Sequence, residues 1–90
     1  MNKSELIADI SVKTKMTKQD VGLVIEHFVT NVTQCLQSGE QVQLLGFGTF
    51  ETRKRPEKMG RNPRTGQPVQ IPERTAVVFR PGKILKSAVE

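Results

Sequence analysis

Arg53-Lys54-Arg55-Pro56-Glu57-Lys58-Met59-Gly60-Arg61-Asn62-Pro63-Arg64-Thr65-Gly66-Gln67-Pro68-Val69-Gln70-Ile71-Pro72-Glu73 is a stretch that cannot build a core. Prolines at 56, 63, 68 and 72 punctuate it, and its large apolar residues are Met59, Val69 and Ile71 alone. Arg53, Lys54, Arg55, Lys58, Arg61 and Arg64 fall within twelve residues, opposed only by Glu57. Mutual repulsion predicts an extended segment held away from the body. Asn62-Pro63-Arg64-Thr65-Gly66 is rich in turn formers. The simplest topology is a protruding two-stranded ribbon, with legs expected at 49–55 and 69–79 and a tip between them. About nine residues per leg at roughly 3.3 Å each give a reach of about 30 Å. An isolated ribbon is only marginally stable in water, so this one is expected to be mobile when free and ordered when bound.

The flanks supply what the ribbon lacks. On the N-terminal side, Gln41-Val42-Gln43-Leu44 alternates polar and apolar, a strand pattern, and Gly46-Phe47-Gly48 breaks it. On the C-terminal side, Ala76-Val77-Val78-Phe79 is apolar and β-prone. Pro81-Gly82 then introduces a short basic helix, Lys83 to Val89.

The first 40 residues read as a helical hairpin. Asn2 is a suitable N-cap with Glu5 three residues on, and Leu6, Ile7 and Ile10 share a face, predicting a helix over about 3–14. Thr17 with Asp20 repeats the start signal. Val21, Val24, Ile25, Phe28, Val29, Val32, Cys35 and Leu36 then recur at spacings of 3 and 4, predicting a helix over about 18–38 that stops at Gly39. Its β-branched residues are poor helix formers, but packing of an apolar stripe outweighs propensity. Nothing within the hairpin is large enough to cover that stripe.

Charge follows the same division. Residues 1–40 carry a net charge of −1 and residues 41–90 carry +6. A basic excess concentrated in one half points to a polyanionic partner. A 90-residue chain with four Phe and no Trp or Tyr has a marginal core, and self-association is the simplest source of further burial. The lone Cys35 makes no internal disulfide and fits a reducing compartment. The polar start Met1-Asn2-Lys3-Ser4-Glu5 and the lack of an apolar run near 18 residues predict a cytoplasmic protein, or the mature form of one imported into an organelle, with no membrane partner.

The tip adds more than charge. Pro63 is a rigid apolar ring, Asn62 before it is biased to extended geometry, and Arg61 and Arg64 flank the pair. A cationic ribbon with an apolar wedge at its end suits a narrow minor groove and partial unstacking of a duplex. Lys83 and Lys86, together with Lys3, are candidates to hold outer phosphates once a duplex bends.

The segments Met1-Asn2-Lys3-Ser4-Glu5-Leu6, Gly46-Phe47-Gly48-Thr49-Phe50-Glu51, Gly60-Arg61-Asn62-Pro63-Arg64-Thr65-Gly66 and Phe79-Arg80-Pro81-Gly82-Lys83 resemble the HU/integration host factor family of bacterial histone-like DNA-binding proteins, and the resemblance runs along nearly the whole chain. It implies an α+β fold in an intertwined homodimer: an N-terminal helical hairpin (1–40), an antiparallel sheet (41–55 and 74–81), a DNA-binding arm (56–73) and a C-terminal helix (82–90). A heterodimer with a paralogue is the alternative assembly. It also implies that Pro63 intercalates, and that DNA contacts fall on Lys3, Arg53, Arg55, Lys58, Arg61, Asn62, Pro63, Arg64, Lys83 and Lys86. The implied partner is double-stranded DNA, with bent, nicked or distorted duplex preferred, in a bacterial nucleoid. Pro56-Glu57-Lys58-Met59 departs from common HU sequences: Pro56 removes one ladder donor and Glu57 lowers the local charge. Val77-Val78-Phe79-Arg80-Pro81-Gly82 is closer to the integration host factor branch.

Other residue patterns reduce to packing. Phe28, Val29, Val32, Leu36, Leu44, Phe47, Phe50 and Phe79 are expected in the dimer core rather than as base-stacking platforms. Gly46-Phe47-Gly48 lacks the third glycine and the Gly-Lys-Ser/Thr of phosphate-binding loops. His27 reads as a surface residue and Cys35 as packing. One His and one Cys offer no metal-ligand spacing and no cofactor is implied. No nucleophile–base pair is visible, which argues against an enzyme. Two other readings compete with a bender of low sequence specificity. One is a sequence-preferring bender of the integration host factor type. The other is an RNA-binding or ribosome-associated structural protein, which the lack of Tyr and Trp disfavours.

Overall fold

The computed structural model describes all 90 residues, in two compact units, 1–34 and 35–90. The division falls inside a continuous helix rather than at a linker.

The first unit holds α1 (Lys3–Thr14) and most of α2 (Lys18–Gln37). Both begin where their capping residues dictate. The Asn2 side chain accepts a hydrogen bond from the Glu5 N–H at 2.9 Å, and the Thr17 hydroxyl accepts one from the Asp20 N–H at 3.1 Å. Asp9 and Lys13 pair across one turn of α1 at 2.9 Å. Helix α2 ends one residue before the expected position, and the Gly39 and Glu40 N–H groups close its last turn onto Leu36 and Cys35. Of the apolar stripe on α2, only Val21 is buried. Leu23, Val24, Phe28 and Val29 are all more than 40% exposed.

The second unit is β-rich. Strands β1 (Val42–Leu44), β2 (Gly48–Arg55) and β5 (Arg74–Pro81) form an antiparallel sheet in the order β1-β2-β5. Strands β3 (Lys58–Arg61) and β4 (Pro68–Ile71) form a separate antiparallel pair, and α3 (Lys83–Val89) closes the chain. Beneath α3, the Gly82 N–H donates to the Phe47 carbonyl at 2.7 Å. The rings of Phe47 and Phe50 stand 5.4 Å and 4.9 Å from that of Phe79, both tilted against it. Gly48 permits this cluster. A Cβ at that position would come within 2.5 Å of the Phe79 ring and 2.7 Å of the Arg80 carbonyl. Phe47 nonetheless stays 45% exposed and Phe79 36%, so one chain leaves its aromatic cluster half-covered.

One expectation is corrected. The returning leg is not a continuous strand over 69–79. It is two strands, β4 and β5, interrupted at Pro72-Glu73. The outgoing leg is interrupted at Pro56-Glu57 and resumes as β3 rather than ending at Arg55. The two Pro-Glu dipeptides face one another, because Arg55 pairs with Arg74 and Lys58 with Ile71. Neither proline can donate to the ladder, so both legs lose pairing at the same height. The register itself does not slip. Paired residue numbers sum to the same value from Gly48↔Pro81 through Arg61↔Pro68. The arm is therefore one ribbon with one unpaired step.

Candidate nucleic-acid interface

At the far end of the arm, Asn62 organises the tip. Its N–H donates to the Gln67 carbonyl at 2.9 Å, its carbonyl accepts from the Gly66 N–H at 2.8 Å, and its side-chain oxygen accepts from the Arg64 N–H at 2.8 Å. The last of these is the local side-chain turn that Asn favours. Gly66 sits at φ 72°, the left-handed backbone region that the loop closure requires. Pro63 is exposed in this closed loop, with Arg61 and Arg64 exposed on either side of it. With one lone pair of the Asn62 side-chain oxygen engaged inside the loop, its amide NH₂ group remains as the donor for an outward contact.

Along the legs, ion pairing sorts the cations into two groups. Glu51, its side chain only 15% exposed, accepts from Arg53 Nε at 3.2 Å and from Arg80 Nε at 3.0 Å, both on the same carboxylate oxygen. Lys54 lies 3.9 Å from Glu73, a loose and solvent-exposed pair. No carboxylate pairs with Arg55, Lys58, Arg61, Arg64 or Arg74. All five are exposed. The unpaired group thus begins where the proximal ladder ends and continues to the tip. An array of unpaired, exposed cations on a ladder too narrow to hide them is suited to a polyanion backbone.

The flanking lysines expected at the interface differ in standing. Lys3 lies 3.7 Å from Glu26, whereas Lys83 and Lys86 on α3 have no carboxylate partner. Arg53 belongs to the Glu51 cluster rather than to the unpaired group. Arg74 was not singled out from the sequence, because it stands outside the basic run 53–64. Counting the ribbon register outward from the tip would have placed it opposite Arg55.

A hairpin of helices followed by a sheet that narrows to a cationic two-stranded arm defines a protein of the histone-like arm class. The chain belongs to the bacterial DNA-binding protein family, whose family model matches residues 1–90. It is 48% identical over 89 residues to the DNA-binding protein HU of Clostridium pasteurianum, covering 99% of this chain and 98% of that one. It is 41% identical to the HU of Geobacillus stearothermophilus over the full length of both chains. Among solved structures, an Anabaena HU–DNA cocrystal structure matches with a TM-score of 0.94 at 35% identity, covering 99% of this chain and 97% of that one. The resemblance expected from the sequence is thereby shown, and these relatives lie on its HU side.

Proposed function

We propose that this chain is a non-enzymatic architectural protein that binds double-stranded DNA as a dimer, enters the minor groove with its arms, and bends and compacts the duplex with low sequence specificity. The observation that carries the reading is the run of unpaired, exposed cations from Arg55 to Arg64, ending in the closed loop that presents Pro63. The likeness to a solved HU–DNA complex supports it. Pro63 is the wedge. Arg55, Lys58, Arg61, Asn62 and Arg64 contact the groove and its phosphates, with Lys3, Arg53, Lys83 and Lys86 toward the flanks. A protein that binds through these contacts works at the bacterial nucleoid.

Exposure of the apolar faces supports the dimer. The chain presents 7607 Å² of accessible surface. A compact folded monomer of its mass presents about 5,300 Å². The excess, about 2,300 Å² per chain, is shared between the exposed arm and the uncovered apolar faces, and accommodates the total of about 2,000 Å² or more that an obligate homodimer buries. Phe28, Val29, Val32, Leu36, Leu44, Phe47, Phe50 and Phe79 are the residues that a second copy would cover.

Salt titration tests the reading directly. Six to ten phosphate contacts correspond to a loss of roughly 10³–10⁵ in affinity between about 50 and 200 mM salt. Nicked or gapped duplex is expected to bind more tightly than intact linear duplex, since part of the bending cost is already met. Affinity that is flat with salt, or equal for the two duplexes, would count against it.

A further inference from the structure

The unpaired step in the arm opens a cleft. It is lined by Arg55, Pro56, Lys58, Ile71, Pro72 and Arg74 and has a volume of about 210 Å³. Half of that lining is cationic, and no carboxylate neutralises any of the three. Glu51 is held by Arg53 and Arg80, and Glu73 lies beside Lys54. Glu57 lines no part of the cleft.

Arg55 and Arg74 stand directly opposite one another, so their side chains leave the ribbon on the same face. Like charges at directly opposed positions destabilise a sheet. The remaining walls, Pro56, Pro72 and Ile71, are apolar and strengthen any charge interaction made against them. Two guanidinium groups leaving one face of the ribbon, beside a cleft with apolar residues in its lining, match one tetrahedral oxyanion. The volume leaves room for bound waters as well, each occupying about 30 Å³.

We propose that this cleft seats one backbone phosphate of duplex DNA between Arg55 and Arg74, and that Arg74 is a DNA-contacting residue on the returning leg. The proposal rests on the DNA-binding reading above and deepens it. The tip inserts into the groove, while the cleft anchors one strand at a fixed distance from the tip and so sets how far the arm enters.

The test compares Arg74→Ala, Arg55→Ala and their double variant with Lys54→Ala, binding a nicked duplex of about 25 base pairs across a salt series. At about 100 mM salt, Arg74→Ala should weaken binding five- to tenfold and make the log–log salt slope shallower by about one. Lys54→Ala should cost less than twofold. Because both arginines hold the same phosphate, the double variant should lose less than the product of the single losses. Without DNA, Arg74→Ala should melt at the same temperature as the unsubstituted protein or higher, since it relieves a repulsion. An Arg74→Ala effect no larger than that of Lys54→Ala would overturn the phosphate seat. So would multiplicative losses, or a lowered melting temperature in the free protein. If the unsubstituted protein bound duplex without salt dependence, the DNA-binding reading itself would fail, whatever the variants did.

Discussion

The proximal and distal parts of the arm use the same two legs in the same register, yet they treat charge in opposite ways. In the proximal ladder, β2 against β5, Arg53 and Arg80 pair with Glu51, and among its arginines only the last cross-strand pair, Arg55 and Arg74, lacks a carboxylate. In the distal ladder, β3 against β4, Lys58 and Arg61 have no partner, and Arg64 follows them in the tip. The proximal ladder also carries Phe50 and Phe79, whose rings pack, while the distal one exposes Met59 and Val69. The contrast teaches that a basic run is not one functional unit. Where a carboxylate lies within pairing distance, arginine is first held within the protein and reaches a ligand only in competition with that pair. Where none does, it is available to a ligand.

The largest expected effect should fall on the proximal side. Phe79→Ala removes the ring that contacts both Phe47 and Phe50. In an assembly that buries this cluster, the cost is about 3–5 kcal/mol. Thermal melts at several protein concentrations would show it, and an unchanged melting temperature would break the division between a structural base and a binding tip. Arg61→Ala is expected to do the reverse, weakening duplex binding by about tenfold, or about 1.4 kcal/mol, while leaving the melt unchanged. Pro63→Ala should reduce bending, read by energy transfer between labelled duplex ends, more than it reduces affinity. Unchanged bending would leave Pro63 as a turn residue only.

Glu51→Gln sharpens the comparison, because it should convert a structural cluster into a binding one. Losing the carboxylate should cost about 1 kcal/mol of stability. Freeing Arg53 and Arg80 should steepen the salt dependence of duplex binding. Unchanged salt dependence would show that the freed arginines make no contact with DNA. The smallest effect is expected from Pro56→Ala, which restores one ladder donor. Amide exchange protection in β3 should rise toward that in β2, with a stability gain of a few tenths of a kcal/mol within the roughly 1 kcal/mol span of strand propensities.

Much of this was legible before any coordinates. Asn2 and Thr17 mark helix starts by a chemistry that acts within one turn, so local sequence suffices. The tip was legible for the same reason, since Asn62, Pro63 and Gly66 act on their own neighbours. The second break was missed because 69–79 was read as one leg, although Pro72-Glu73 lies across the ribbon from Pro56-Glu57. The pairing of Glu51 with Arg80 and the position of Arg74 opposite Arg55 were missed because both depend on cross-strand register, which a one-dimensional run of charge does not display. The helix stripe was read correctly as apolar, but a single chain leaves it open. In the proposed dimer, a second copy would cover it.

The loop at Asn62 carries a kinetic consequence. Its closure comes from its own backbone and side chain and needs no partner to form. Ordering a loop on contact would charge each trial insertion with lost chain entropy. A preformed apex avoids that charge, leaving the stiffness of the base-pair step beneath it as the quantity being sampled. A molecule of this kind would scan a chromosome mechanically, pausing at soft or damaged steps without reading letters.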